Sequence, residues 1–255
     1  MMSSEFAVRK EMVEIGRRMY EKELVAATDG NLSFRCSENE ILITPSGSCL
    51  GFLKASDLVL IDGEGRPRSS GMKPTSEYRL HLEVYRQRED VRAIVHGHPP
   101  LCTAFSVAGE GLDRCVLPEV VFTLGAIPTT AYGTPTTDEP PRVIRDYIGR
   151  CDAMILDRHG TLTVGRGLTD AYYKLEKLEH TARIILAAKT LGRVRVLSRE
   201  QVERLMEVRE KAGLTGSILH CVCAVPEKDG PSGCEMDEDL LAKTITGEVL
   251  KIIQG

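Results

Sequence analysis

The run Val91-Arg-Ala-Ile-Val95-His-Gly-His98-Pro-Pro100 is short, apolar and β-branched, and it ends in two prolines. Proline brings no N–H to a ladder, so a strand that reaches His98 stops there. Alternate side chains of a strand share a face, which points His96 and His98 to one side with Gly97 between them. Two imidazoles at a strand end begin a first-row metal site; a turn histidine beside a surface histidine is the plainer alternative. A second apolar run, Ala153 to Leu156, leads into Asp157-Arg-His159-Gly160 and brings a third imidazole to a strand end. Glu77 stands near the start of the helical segment ahead of the first strand. Three neutral imidazoles and a carboxylate suit Zn²⁺, with the carboxylate exchangeable for substrate.

Outward from this core the chain alternates strands and helices, an α/β pattern. Val8, Met12, Ile15, Met19 and Tyr20 lie at helical spacing over Glu5 to Glu23. Short strands are expected at Leu32 to Arg35, Ile41 to Thr44 and Leu58 to Ile61, punctuated by Pro45-Ser-Gly47 and Asp62-Gly-Glu-Gly65. Pro74-Thr-Ser-Glu77 is expected to open a helix to about Arg88. Ala126 to Tyr132 reads as a strand, with Tyr132 buried in it. Pro141 to Ile148, Leu168 to Thr190 and Arg199 to Ala212 read as helices.

The 255 residues are 42% hydrophobic and 27% charged, ordinary for a soluble globular chain of one large domain or two small ones. A net charge of −4, no Trp and 5% aromatics argue against nucleic-acid binding, which needs a basic surface or stacking platforms. No apolar run approaches the roughly 18–20 residues that span a bilayer, so no membrane partner is expected. Met1 to Lys10 has no apolar secretory core, which points to the cytoplasm. The eight cysteines are then expected to be reduced thiols, although Cys221-Val-Cys223 leaves a metal or redox pair open.

Three small polar loops also stand out: Gly30-Asn31, Ser46-Gly47 and Thr75-Ser76. Glycine lets backbone N–H groups approach an anion, short hydroxyls add donors, and Thr75-Ser76 at a helix start has the positive dipole end. Each loop by itself is equally a cap or a tight turn. Three beside a metal set point to a phosphorylated substrate.

Thr28-Asp-Gly-Asn31-Leu-Ser, Ile43-Thr-Pro-Ser-Gly47, Lys73-Pro-Thr-Ser-Glu77, Val95-His-Gly-His98 and His159-Gly160 together resemble the class II aldolase/adducin family in order and spacing, over roughly Glu5 to Gly192. The resemblance implies a three-layer α/β/α fold around a largely antiparallel sheet, a catalytic zinc, and a homotetramer with sites at subunit interfaces. It implies His96, His98 and His159 as zinc ligands, with Glu77 as ligand and acid/base. It places substrate phosphate on Gly30, Asn31, Ser46, Gly47, Thr75 and Ser76. The implied reaction is aldol cleavage of a ketose 1-phosphate, of the L-fuculose or L-rhamnulose type, to dihydroxyacetone phosphate and a short aldehyde such as L-lactaldehyde. A pentulose-phosphate 4-epimerase and a methylthioribulose-1-phosphate dehydratase are the enzymatic alternatives. The epimerase branch typically carries Asp where Glu77 stands. A non-catalytic adducin-like module has no need of the full His/Glu set. The sequence departs from the fuculose-phosphate type in one place. That type carries a Tyr after the HxH strand, which acts from a neighbouring subunit to protonate the leaving alkoxide. Here the stretch is Cys115-Val-Leu-Pro-Glu119-Val, with Glu119 as the candidate for that role or else a structural residue. Tyr132 is another candidate proton donor, although a buried strand tyrosine is its plainer reading.

Beyond the catalytic region, taken as residues 1–219, His220 to Met236 carries Pro, Gly and Cys without periodicity and reads as a linker. Over 237–255, Leu241, Ile245, Val249, Ile252 and Ile253 form one apolar stripe of an amphipathic helix. Such a helix packs on its own assembly, or it docks on a partner. A spacer followed by a short amphipathic terminal helix resembles the encapsulation peptides of bacterial microcompartment cargo. That implies a shell or cargo protein as partner for 237–253, and a place inside such a compartment.

Overall fold

The structure, a computed structural model, describes residues 4–68, 71–214 and 218. Its centre is one six-stranded antiparallel sheet: β1 (Asn31–Ser37), β2 (Glu40–Ile43), β3 (Val59–Ile61), β4 (Ala93–Gly97), β5 (Ala153–Leu156) and β6 (Gly160–Gly165). The order across the sheet is β3-β2-β1-β4-β6-β5.

Both faces of the sheet are covered, so its strands are apolar on both sides. Ala93 and Val95 of β4 pack with α1 (Glu5–Glu21) and α7 (Leu168–Thr190), through Met12, Met19, Tyr172 and Leu175. Ile94 points the other way, onto α2 (Tyr78–Gln87) and α6 (Arg145–Ile148), with Leu80, Val84 and Ile148. The period-2 alternation thus assigns each residue of β4 to a layer, and His96 falls on the α2 side. A third cluster joins α3 (Pro100–Val107) and α4 (Pro118–Thr123) to β5 and α7 through Phe105, Val120, Ile155 and Leu178. Val121 of α4 packs against Val202 of α8 (Arg199–Lys211). The layers are helix, sheet, helix, as the resemblance implied.

Several expectations change. Thr75 and Ser76 lie in the turn before α2, whose first residue is Tyr78. Thr75 is held out of the helix because its N–H donates to Thr44 O (3.0 Å), leaving it paired to the strand loop. Ala126 to Tyr132 forms only isolated bridges, Ile127 to Leu112 and Thr129 to Ile155. Tyr132 is 52% exposed rather than buried, with the Arg158 guanidinium 5.5 Å over its ring. The helix expected over Pro141 to Ile148 is two short helices, α5 (Glu139–Val143) and α6. Cys36, Cys49, Cys102 and Cys151 are free thiols, but Cys115 is disulfide-bonded, contrary to the expected eight reduced thiols. Among the described residues no helix is long and apolar enough to cross a membrane. The expected linker at 220–236 and helix at 237–255 lie outside the described residues.

Candidate metal and substrate site

The antiparallel topology gathers the start of β1, the end of β2, the end of β4 and the start of β6 at one end of the sheet. Asn31 is opposite His96, Ser33 opposite Ile43, and Gly97 opposite Thr161. His159 sits in the β5–β6 turn. That turn is bought with backbone strain: Arg158 adopts φ +53, and its N–H donates to Ser106 Oγ (2.9 Å). Gly160 has no alternative there, since a Cβ on it would stand 2.4 Å from Gly97 O and 2.7 Å from the His98 ring.

Glu77 occupies the N-cap position of α2, yet its side chain makes no cap hydrogen bond. It turns inward instead. Glu77, His96, His98 and His159 bring one donor atom each within 4.8 Å of one another. His96 is wholly buried, and its Nδ1–H donates to Thr161 O (2.8 Å), which leaves the Nε2 lone pair facing the centre. His96 Nε2 lies 3.0 Å from His98 Nε2 and 3.2 Å from Glu77 Oε2. His159 Nε2 is 3.3 Å from Glu77 Oε1, which accepts no hydrogen bond although it is buried. Ring lone pairs and a carboxylate that converge this closely repel unless a cation lies among them. The donor set therefore fits a divalent ion.

The electrostatics agree in direction. Burial pushes the Glu77 carboxyl up, but His96, His159 and the Asn31 amide outweigh it and hold it well below the usual carboxylate range. Burial pushes His96 down, yet the Glu77 carboxylate and the Thr161 carbonyl leave it raised. His98 is driven down to about 3 by burial and then by His96, and His159 to about 4 by the same causes. Two of the three rings are thus lone-pair donors throughout the neutral range.

The proposed phosphate residues line the same end of the sheet. Gly30 has φ +75, and a Cβ on it would meet Val25 at 2.5 Å and His96 O at 2.9 Å. The other two loops are zipped together: Ser46 N–H donates to Lys73 O (2.9 Å), and Pro45 bridges Pro74. Leu32 N–H donates to Thr44 Oγ1 (3.1 Å), which ties β1 to them. Ser46, Gly47 and Ser76 are exposed, whereas Thr75 is buried. Asn31 is only 3% exposed and is largely committed: one Nδ2 proton goes to Glu77 Oε2 (2.8 Å) and its Oδ1 faces His81 Nε2. Glu119 is set apart from the four donors. It lies in the first turn of α4, on the wall of a cleft of about 600 Å³ that it shares with Leu24, Lys177 and His180. Sequence reasoning missed His81, Ser33 and Tyr85, which back up Asn31. The available signal was spacing: His81 lies one helical turn, and Tyr85 two, beyond Glu77 on the same face.

Residues 10–186 match the model of the class II aldolase and adducin N-terminal domain. The chain belongs to the class II aldolase and adducin family. With its His/Glu set intact it is a metal-dependent enzyme of that family, of the aldolase type. An L-fuculose phosphate aldolase of Methanococcus vannielii is 38% identical over 69% of this chain and 93% of its own. A 3-oxo-tetronate 4-phosphate decarboxylase of Pectobacterium atrosepticum is 34% identical over 80% of this chain and 94% of its own. Among solved structures, an L-fuculose 1-phosphate aldolase superposes with TM-score 0.74 at 30% identity, over 82% of this chain and 98% of that one. YgbL of Klebsiella pneumoniae, assigned only as aldolase, epimerase or decarboxylase, gives 0.73 at 33%, over 80% and 99%.

Proposed function

We propose that the protein breaks a carbon–carbon bond in a phosphorylated hydroxyketone and releases dihydroxyacetone phosphate, with zinc as its metal. The observation that carries this is the Glu77 carboxylate, whose Oε1 is buried without a hydrogen bond beside three converging imidazoles. His96, His98 and His159, with Glu77 as the exchangeable ligand, would hold an ion that would supply Lewis-acid stabilisation of negative charge on the ketone and its neighbouring hydroxyl. Three imidazoles and one carboxylate are a donor set that suits zinc. Glu77 moves a proton at the carbon that inherits the electron pair. Gly30, Asn31, Ser46, Gly47, Thr75 and Ser76 hold the phosphate, so that binding energy remote from the bond orients the ketone.

The substrate we favour is a ketose 1-phosphate of the L-fuculose or L-rhamnulose type. Its C4 hydroxyl gives its proton to Glu119 of a neighbouring copy, the C3–C4 electrons pass to C3, and C3 takes a proton that Glu77 has drawn from solvent, to which Glu119 returns its own. Dihydroxyacetone phosphate and L-lactaldehyde result. The aldolase relatives and a glutamate at position 77 support this. A second substrate is favoured by a specific observation. The decarboxylase relative aligns over 80% of the chain against 69% for the aldolase. In 3-oxo-tetronate 4-phosphate the electrons of the bond to the carboxylate pass to the same carbon, and carbon dioxide leaves. The same dihydroxyacetone phosphate remains after protonation. That route needs no group to take a proton from a C4 hydroxyl, which suits a chain with no tyrosine between Cys115 and Val120. Zinc-loaded protein given L-fuculose 1-phosphate, L-rhamnulose 1-phosphate and 3-oxo-tetronate 4-phosphate decides between them. Aldehyde release supports the first, and carbon dioxide the second. No dihydroxyacetone phosphate from any of the three overturns both.

The assembly we propose is a homotetramer in which Glu119 serves a neighbouring copy's site, taking the C4 hydroxyl proton in cleavage and donating it to the aldehyde oxygen in the reverse direction. For the tail, the stripe Leu241, Ile245, Val249, Ile252 and Ile253 supports docking on a microcompartment shell or cargo protein. Fused to an unrelated soluble protein, residues 237–255 should confer binding to shell protein, and Ile245→Glu should abolish it by placing a charge in the seam. A fusion that binds nothing overturns the docking role.

A further inference from the structure

Behind Glu77 runs a buried chain of polar groups, Asn31, His81, Ser33 and Tyr85. We propose that His81 is a positioning residue: its Nε2–H clamps the Asn31 amide, so that Asn31 pins Glu77 Oε2 and leaves Oε1 as the oxygen that carries the proton. The proposal rests on Glu77 being the proton carrier.

The directions follow from donor chemistry. An ionised carboxylate only accepts. Asn31 must therefore present Nδ2, not Oδ1, to Glu77 Oε2 at 2.8 Å. Its Oδ1 then faces His81 Nε2 and needs a donor, so Nε2 carries the ring proton. His81 Nδ1 keeps its lone pair 2.6 Å from Ser33 Oγ, so the Ser33 hydroxyl donates to it. The Tyr85 hydroxyl has two acceptors, Ser33 Oγ at 2.8 Å and Arg92 O at 3.4 Å; with the serine proton committed to His81, the nearer contact is donation to Ser33. His81 and Ser33 are completely buried and Tyr85 nearly so. Burial, with His96 adding to it, drives His81 down to about 3, so the ring is neutral and a single tautomer is selected.

A reversed amide would set Asn31 Oδ1 against the Glu77 carboxylate. The His81 clamp prevents this at every turnover, including the moment when Glu77 is protonated and the amide loses its charged partner. The asymmetry is visible in the carboxylate itself. Oε2 has Asn31, while Oε1 has no hydrogen bond and faces His159 Nε2.

Two measurements test the proposal. Nitrogen NMR of the zinc-loaded full chain should show His81 protonated at Nε2 and bare at Nδ1; the opposite tautomer overturns it. Deuterium exchange from solvent into dihydroxyacetone phosphate then reads proton transfer without depending on the rest of the substrate. His81→Leu should lower the exchange kcat about 10–100-fold, the range for groups that orient a metal-site residue, with KM and bound zinc unchanged. His81→Gln, whose terminal amide reaches the place of Nε2 and can donate, should recover most of that rate. Equal rates in His81→Leu and the unmodified protein, equal losses in the two variants, or a loss confined to KM each overturn it. If His81→Leu does not fold, the tautomer measurement decides. Glu77→Gln in the same assay separates the premises. Exchange surviving in Glu77→Gln removes the proton carrier, whereas exchange lost there but kept in His81→Leu removes only the clamp.

Discussion

His96→Ala should strip the protein of its metal and of all measurable turnover, while the chain still folds. His96 is the hub of the site: Nδ1–H is fixed by Thr161 O at 2.8 Å, and Nε2 sits 3.0 Å from His98 Nε2 and 3.2 Å from Glu77 Oε2. Removing it leaves two imidazoles and a carboxylate, one ligand short of the four a zinc site uses. The loss is asymmetric for stability. In the metal-free protein the substitution also removes the ring that draws Glu77 into its ionised form, so a buried carboxylate loses its main partner. Metal analysis of the purified variant should find much less than one zinc per chain, against about one for the unmodified protein. His98→Ala and His159→Ala should behave alike. A chelated preparation of the unmodified protein should match them and regain turnover on adding zinc, which the alanine variants do not. Full activity in rigorously metal-free protein would sink the metal assignment.

The parts of this site legible in the sequence are those carried by local rules. Val91 to His98 reads as a strand because β-branched residues meet two prolines, and β4 runs Ala93–Gly97. Alternation then predicts His96 and His98 on one face, and their rings stand 4.9 Å apart. The 23-residue α7 begins and ends where its apolar spacing does. What stayed hidden depends on pairing across the chain. Thr75 reads as a helix start because hydroxyl residues before a glutamate are ordinary caps, but its N–H is taken by Thr44, so α2 starts at Tyr78. Tyr132 reads as buried because Ala126 to Tyr132 reads as a strand. The segment bridges β5 at Thr129 alone and leaves the tyrosine outside. His81 falls inside the helix expected to run to about Arg88 and attracts no reading of its own there. Only the approach of β1 to α2, which brings Asn31 and Ser33 to its two nitrogens, gives it one.

Glu77→Gln should keep most of the metal and lose turnover by about 10²–10⁴-fold, the range for removing a positioned acid or base. The three imidazoles are untouched, and glutamine is nearly isosteric with glutamate. Its amide can still offer an oxygen to Asn31 Nδ2, so the hydrogen bond at Oε2 has a replacement and the folded structure survives. What the amide cannot do is take up and return a proton at the position of Oε1, the oxygen without a hydrogen bond. The loss should therefore fall on kcat for cleavage and equally on deuterium exchange into dihydroxyacetone phosphate. The KM for a phosphorylated substrate should change little, because Ser46, Gly47, Thr75 and Ser76 are unaltered. The sign of the metal result separates two roles. If zinc is retained and exchange is lost, Glu77 carries the proton. If zinc is lost as well, the carboxylate is a required ligand, and the histidines alone do not hold the ion. If both zinc and exchange survive, proton transfer belongs to another group. Glu119 is then the residue to substitute next, and its cleft beside Lys177 and His180 becomes the place where a second copy must bring it to the ketone.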